Sequence, residues 1–325
     1  MEAHIVRAIT EYVEMQLQRS GRTKLAVDYT THFSLDDDRC ACPRFWDMVL
    51  ETTERWQEVT FSYDIEHRNS DIAKTLRGLS LPSLRTMVMT TEIDSCTEES
   101  LSEVCETWFM PKLENFRGAL HKTGLKIQFR ARLKSFHLSV GQWNLYQVAH
   151  PILGILDSSQ VNKANELHLK FCGLTCTVRD TRSGSPVTMP DVRKLTLEFL
   201  NTNSGNASQG IARHLTLPEL THLVGVFCIR PPRNRQESAL RDLCDKFRGF
   251  SVLAAKFQGN TTAGIKEITF DIRDGLGANE DLRWYRRGLE QTLVQGIGTD
   301  FHENGGDSAR RKTALRPPSV VVTMK

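Results

Sequence analysis

The sequence has no long apolar run. Nowhere in its 325 residues do about 18 apolar residues follow one another, so no membrane-spanning helix is expected. The opening Met1-Glu2-Ala3-His4 has no basic stretch leading into an apolar one, which argues against a secretory leader. Proline (11) and glycine (21) are too sparse for a collagen-like or linker-like chain. The eight cysteines (Cys40, Cys42, Cys96, Cys105, Cys172, Cys176, Cys228, Cys244) offer two close pairs, Cys40/Cys42 and Cys172/Cys176, about 130 residues apart. A zinc centre needs its ligands in compact array, so the cysteines read as reduced core residues and no metal or other cofactor is expected.

Charge of one sign is also scarce. Forty-two basic residues face 39 acidic ones. The excess lies in residues 301–325, where Arg310, Arg311, Lys312, Arg316 and Lys325 oppose Glu303 and Asp307, leaving 37 basic and 37 acidic residues in the first 300. A neutral body lacks the basic face that a nucleic-acid binder needs. The expectation is a cytoplasmic or nuclear protein with neither a nucleic-acid nor a membrane partner. Hydrophobic residues at 39% and charged ones at 25% suffice for a packed core.

A recurring phrase is present instead. Leu81-Pro82-Ser83-Leu84, Met110-Pro111-Lys112-Leu113, Met189-Pro190-Asp191-Val192 and Leu217-Pro218-Glu219-Leu220 each place apolar residues before Pro and two positions after it. Most continue to another apolar residue three positions later. Pro82 to Pro111 is 29 residues and Pro190 to Pro218 is 28. Pro111 to Pro190 is 79, close to three units of about 26. Segments of the same build without the proline occur at Trp56–Phe61, Leu133–Leu138, Glu166–Phe171 and Ile265–Ile272. The final positions of each phrase alternate, so their apolar residues face one side of a short strand. Proline ahead of the strand costs no ladder donor. Helical spacing falls between the strands, at Phe45–Leu50, Glu99–Trp108 and Glu237–Phe247. A strand and a helix every 25–30 residues predict an α/β chain folded as a degenerate leucine-rich-repeat-like solenoid, with a parallel curved sheet and outer helices. The expected limits are a solenoid over 1–300 and a disordered basic tail over 301–325. The helix over 3–18, with Ile5, Ile9 and Val13 on one stripe, and the segment 282–297 are expected to cap its ends.

These residues resemble a known family. The stretch Leu17-Gln18-Arg19-Ser20-Gly21 leading to Leu25-Ala26-Val27, the Arg55-Trp56 pair leading into Val59-Thr60-Phe61, and the Leu-Pro-x-Leu phrases at Pro82 and Pro218 resemble the repeat region of basidiomycete (mushroom-forming fungal) F-box proteins with divergent leucine-rich repeats. The likeness spans roughly residues 10–290. Lys24 stands where that family usually has a proline, and the F-box itself is not recognisable in this chain. The resemblance implies substrate recognition for a ubiquitin ligase. It implies contact with the ligase adaptor only if an F-box precedes these residues.

Catalytic spacings are missing: no Gly-x-Ser-x-Gly, phosphate-loop or His-Glu-x-x-His pattern occurs. Gly275-Leu276-Gly277 lacks the third glycine of a dinucleotide loop, and Asp36-Asp37-Asp38 reads as a solvated acidic run. No enzyme is therefore expected, the alternative being an α/β hydrolase or transferase whose site has no recognisable motif. The expected function is protein binding through the exposed sheet face. The residues predicted to line it are Arg85, Val88, His137, His168, Thr196, Val224 and Thr269, which sit between or beside the apolar strand positions.

Overall fold

The computed structural model describes residues 2–30, 43–63, 76–91, 107–120, 129–140, 152–172, 186–200, 214–229, 249–262, 264–274 and 318–324. Two compact units divide the chain, Met1–Leu133 and Lys134–Lys325. Both are built as the periodicity predicts, from parallel strands that recur about once per repeat. Each is a stretch of solenoid.

In the first unit, helix α1 (Glu2–Ser20) leads to β1 (Leu25–Thr30), α2 (Pro43–Leu50), β2 (Trp56–Tyr63), β3 (Thr86–Thr91) and β4 (Asn115–Leu120). The four strands form a parallel sheet in sequence order. Val27 pairs with Val59, Val59 with Met87, and Met87 with Phe116. The phrases noted around the first two strands meet in space. Arg55 donates from Nη2 to Ser20 Oγ and from Nε to the Thr23 carbonyl (3.0 Å), tying the end of α1 to the turn before β2. Gly21, just past α1, takes φ +51°, a left-handed conformation that glycine adopts without a Cβ penalty. Trp56 is fully buried and its indole N–H donates to Thr52 Oγ1 (2.9 Å).

The second unit runs β5 (Ser135–Val140), α3 (152–156), β6 (Glu166–Cys172), β7 (Val187–Thr188), β8 (Lys194–Leu200), β9 (Leu215–Thr216), β10 (His222–Ile229), α4 (249–260), β11 (Glu267–Asp274) and β12 (Ser319–Met324). Its main sheet is parallel in the order β5-β6-β8-β10-β11-β12, and β7 pairs with β9 in a small second ladder. The register steps by one repeat at a time: Phe136–Leu167–Leu195–Leu223–Ile268–Val320. The step is 28 residues from Leu167 to Leu195 and from Leu195 to Leu223. It widens to 45 between Leu223 and Ile268 and to 52 between Ile268 and Val320, beyond the 25–30 expected.

The proline phrase has a structural job. Leu84, Leu113 and Leu220 each donate their N–H to the carbonyl of the apolar residue before the proline (3.2, 3.4 and 3.2 Å). That closes a four-residue turn with Pro at its second position, where its fixed φ is already suitable. The flanking residues Leu81/Leu84, Met110/Leu113, Met189/Val192 and Leu217/Leu220 are all buried. Just ahead of several strands, one carbonyl receives two consecutive amides from the next repeat. The Arg193 carbonyl accepts from Thr221 and His222 (2.9 Å each), and Lys134 accepts from Asn165 and Glu166 (3.0 Å each). These bonds lock each repeat onto the one before it.

Strand alternation then divides the side chains. Along β5 every second residue is buried, and Met87, Leu195 and Leu223 are all fully buried in their own units. In the second unit Phe171, Phe199, Phe227 and Phe270 stack at centroid spacings of 5.8, 5.6 and 6.2 Å. Phe250 of α4 meets Phe227 and Phe270 edge-on. Phe250, Leu253, Ala254 and Phe257 give α4 its buried stripe. Gly225 makes room for this packing: a Cβ there would lie 2.7 Å from the Phe227 ring and 2.9 Å from the Phe250 ring.

Several expectations change. Strands carry more of the described structure than the one-helix-per-repeat pattern implied, with helices limited, among the described residues, to α1–α4 and a short 3-10 helix at Thr53–Arg55. The expected helices over Glu99–Trp108 and Glu237–Phe247 lie almost wholly outside those residues, as does the segment 282–297. Helix α1 is present, but Ile9 is exposed along with Tyr12 and Met15, and among its residues 7–20 Thr10 is the buried one. The stretch expected as a disordered tail ends in β12. Its uncharged Ser-Val-Val-Val-Thr run favours a strand, and β11 supplies the edge it pairs with.

Candidate functional site

The outer sheet face of the second unit, opposite the phenylalanine ladder, gathers the candidate residues. Strand pairing sets His137 beside His168, His168 beside Thr196, Thr196 beside Val224, and Val224 beside Thr269. Five of the seven residues predicted from sequence therefore form one row across β5, β6, β8, β10 and β11, all half-buried, and Val321 of β12 extends it. Val88 occupies a similar row in the first unit, between Thr60 and Arg117. Arg85 lies one residue before β3, outside that row, with its guanidinium 4.0 Å from Glu114.

The two histidines at the start of the row are in face-to-face contact. Their rings stack with centroids 3.7 Å apart and planes 16° from parallel. The backbone imposes this, since directly opposed residues on paired strands bring their side chains together.

The next outward row, two residues along each strand, holds the charges: Ser139, Lys170, Glu198, Val226, Asp271 and Thr323 pair in that order. Glu198 is the centre, with only 6% of its side chain exposed. Its Oε2 lies 3.1 Å from His168 Nε2, and its Oε1 lies 3.2 Å from Lys170 Nζ and 3.8 Å from Arg273 Nη1. Arg273 also donates from Nε to Asp271 Oδ2 (3.2 Å), and Thr323 Oγ1 lies 3.2 Å from Asp271 Oδ1. Burial works against the charge on Glu198 and is the largest single influence on it. The His168 hydrogen bond and the charge and hydrogen bond of Lys170 together outweigh it, so the carboxyl pKa falls to about 2. An ionised carboxylate only accepts, so His168 carries its proton on Nε2.

Both Glu198 oxygens are engaged, which leaves the carboxylate poorly placed to take a proton or attack a substrate. Lys170 and Arg273 balance Glu198 and Asp271, so the cluster is neutral when His168 is neutral. Among the described residues no three His, Cys, Asp or Glu side chains group as a metal ion would require. Nor is any helix among them long and apolar enough to cross a membrane.

Lys170, Glu198, Asp271 and Arg273 were not among the residues predicted from sequence. A signal for three of them was present: each stands between two buried apolar residues of a strand, in Leu169-Lys170-Phe171, Leu197-Glu198-Phe199 and Phe270-Asp271-Ile272. No family model matches the chain, and neither a curated protein nor a solved structure matches it.

Proposed function

We propose that the protein is a non-catalytic binding module that holds a partner protein on the outer sheet face of its second unit. The observation that carries this reading is the row His137–His168–Thr196–Val224–Thr269. It offers methyl groups and hydrogen-bonding groups side by side on a rigid sheet, backed by an ion cluster whose charges compensate one another. Such a surface suits shape-matched contact with a protein and lacks a free reactive group. The Pro-led repeat and its strand order also support reading the chain as leucine-rich-repeat-like. On that basis its resemblance to the substrate-recognition part of F-box-type ubiquitin-ligase subunits makes a ubiquitylation substrate the proposed partner.

The test is affinity capture with the wild-type chain and a Thr196→Arg/Val224→Arg variant. Both positions point outward, so the variant should keep the wild-type circular dichroism spectrum and Tm. A partner bound by the wild type should bind the variant at least tenfold more weakly when both are purified. Equal binding by the folded variant would remove this face from the function.

A further inference from the structure

We propose that the free edge of β12 is a homodimer interface, on which a second copy of this chain lays its own β12 antiparallel, with Val321 opposite Val321. The proposal stands apart from the functional reading above and would survive its failure.

Strand β12 ends the sheet order, and among the described residues no strand pairs with its outer edge. The hydrogen-bonding groups of that edge follow from the register. Ser319 donates its N–H to the Lys266 carbonyl (2.9 Å), toward β11. Backbone groups alternate along a strand, so those of Ser319, Val321 and Thr323 serve β11, and those of Val320, Val322 and Met324 face outward. An edge invites another strand unless charge, proline or a bulge blocks it. Residues 319–324 contain no charged residue and no proline, and their pairing with β11 runs without a register shift. Strand β12 also lacks the cover that the interior strands have. Leu167, Leu195, Leu223 and Ile268 are at most 1% exposed, whereas Val320 in the same row is half-buried. On the outer face Val321 is 39% exposed, where Thr196, Val224 and Thr269 are half-buried.

The sequence of β12 selects the occupant. Ser319-Val320-Val321-Val322-Thr323 reads almost the same in both directions. Opposed residues of an antiparallel pair are either both hydrogen-bonded or both not, so a two-fold axis must set one residue against itself. Centred on Val321, the axis pairs Val320 with Val322, Ser319 with Thr323 and Pro318 with Met324. Centred one residue to either side, it pairs Val321 with Ser319 or with Thr323, and valine meets hydroxyl. In the first register Val320 and Val322 exchange both of their outward backbone hydrogen bonds, and the Met324 N–H reaches the Pro318 carbonyl. Proline has no N–H to offer in return, which ends the ladder. The contact is the same on both copies, so it closes at two and consumes the open edge. One strand pair is a small interface, so the expected dimer is weak.

Analytical ultracentrifugation of the full chain from about 1 μM to about 1 mM tests this. The wild type should pass from monomer to dimer within that range. Val321→Lys sets two cations against each other at the axis, and Val322→Pro removes an outward N–H while sparing the bonds to β11. Each should keep the wild-type circular dichroism spectrum and weaken the dimer about tenfold or more. Amide hydrogen exchange reads the register: the Val320, Val322 and Met324 amides should gain protection as wild-type concentration rises. Val321→Cys should give a disulfide-linked dimer on mild oxidation, because directly opposed residues hold their Cβ atoms about 4.5–5.5 Å apart, and Thr269→Cys on β11 should not. A wild type that stays monomeric throughout would overturn the proposal. So would a dimer that both folded variants retain, or one that leaves those three amides unprotected. The wild-type measurements decide the point even if a variant fails to fold.

Discussion

Glu198 shows how one side chain links local chemistry to stability. Its carboxyl is held at about 2 when folded, below the ordinary 4.5. A depressed carboxylate stabilises the fold above its unfolded pKa, and that contribution is lost as pH falls through the folded value. Acidification from about pH 5 to about pH 2 should therefore remove about 2–3 kcal/mol from this residue alone. Urea unfolding at stepped pH should show this slope in the wild type and a flatter one in Glu198→Gln. The variant should also be less stable near pH 7, because the Lys170 and Arg273 charges lose their buried counter-ion. Gly225 gives a second prediction at this scale. With the Phe227 and Phe250 rings inside 3 Å of any added Cβ, Gly225→Ala should cost about 1–3 kcal/mol by overpacking, read as a lower urea midpoint. Sequence could place His137, His168, Thr196, Val224 and Thr269 on the outward side because alternation alone decides that. It could not show that Glu198 meets Arg273. Those residues are 75 positions apart, and their contact depends on β8, β10 and β11 lying in order with a long guanidinium reaching across Val226.

At the scale of elements, the Pro-led turns and the last strand behave differently. Leu220 and Leu217 clamp one turn in the core, so Leu220→Ala should cost about 2–5 kcal/mol. Pro218→Ala should cost less, about 0.4–1 kcal/mol, because the turn hydrogen bond survives and the main loss is a stiffer unfolded chain. The repeat turns were legible because proline constrains the backbone wherever it occurs. Strand β12 was not: a short uncharged run such as Val320–Val322 becomes a strand only when an edge is offered, and β11 offers it from 52 residues away. Replacing Val320 with Asp should release β12. The measurement is amide hydrogen exchange, which should quicken in β12 and in the β11 amides facing it, with β5 and β6 unaffected.

At the scale of the whole molecule, the chain divides into two compact units, Met1–Leu133 and Lys134–Lys325. Neighbouring repeats share most of their buried surface, so a lesion should spread from strand to strand and weaken with distance. Leu197→Ala should lower exchange protection most in β6, β8 and β10, less in β5 and β11, and least in β12. Uniform loss across the second unit would mean that it unfolds only as one block.

The sequence by itself determined the repeat, the inward and outward side of each strand and the proline turns, because each depends on spacing within a few residues and on the geometry of a single backbone. Strand order, the stacking of His137 on His168, the ion cluster around Glu198, the room that Gly225 leaves for two rings and the recruitment of β12 were decided only by the tertiary structure. Each is a meeting between residues from different repeats. Its energy depends on distance and burial, and neither exists until the strands lie side by side.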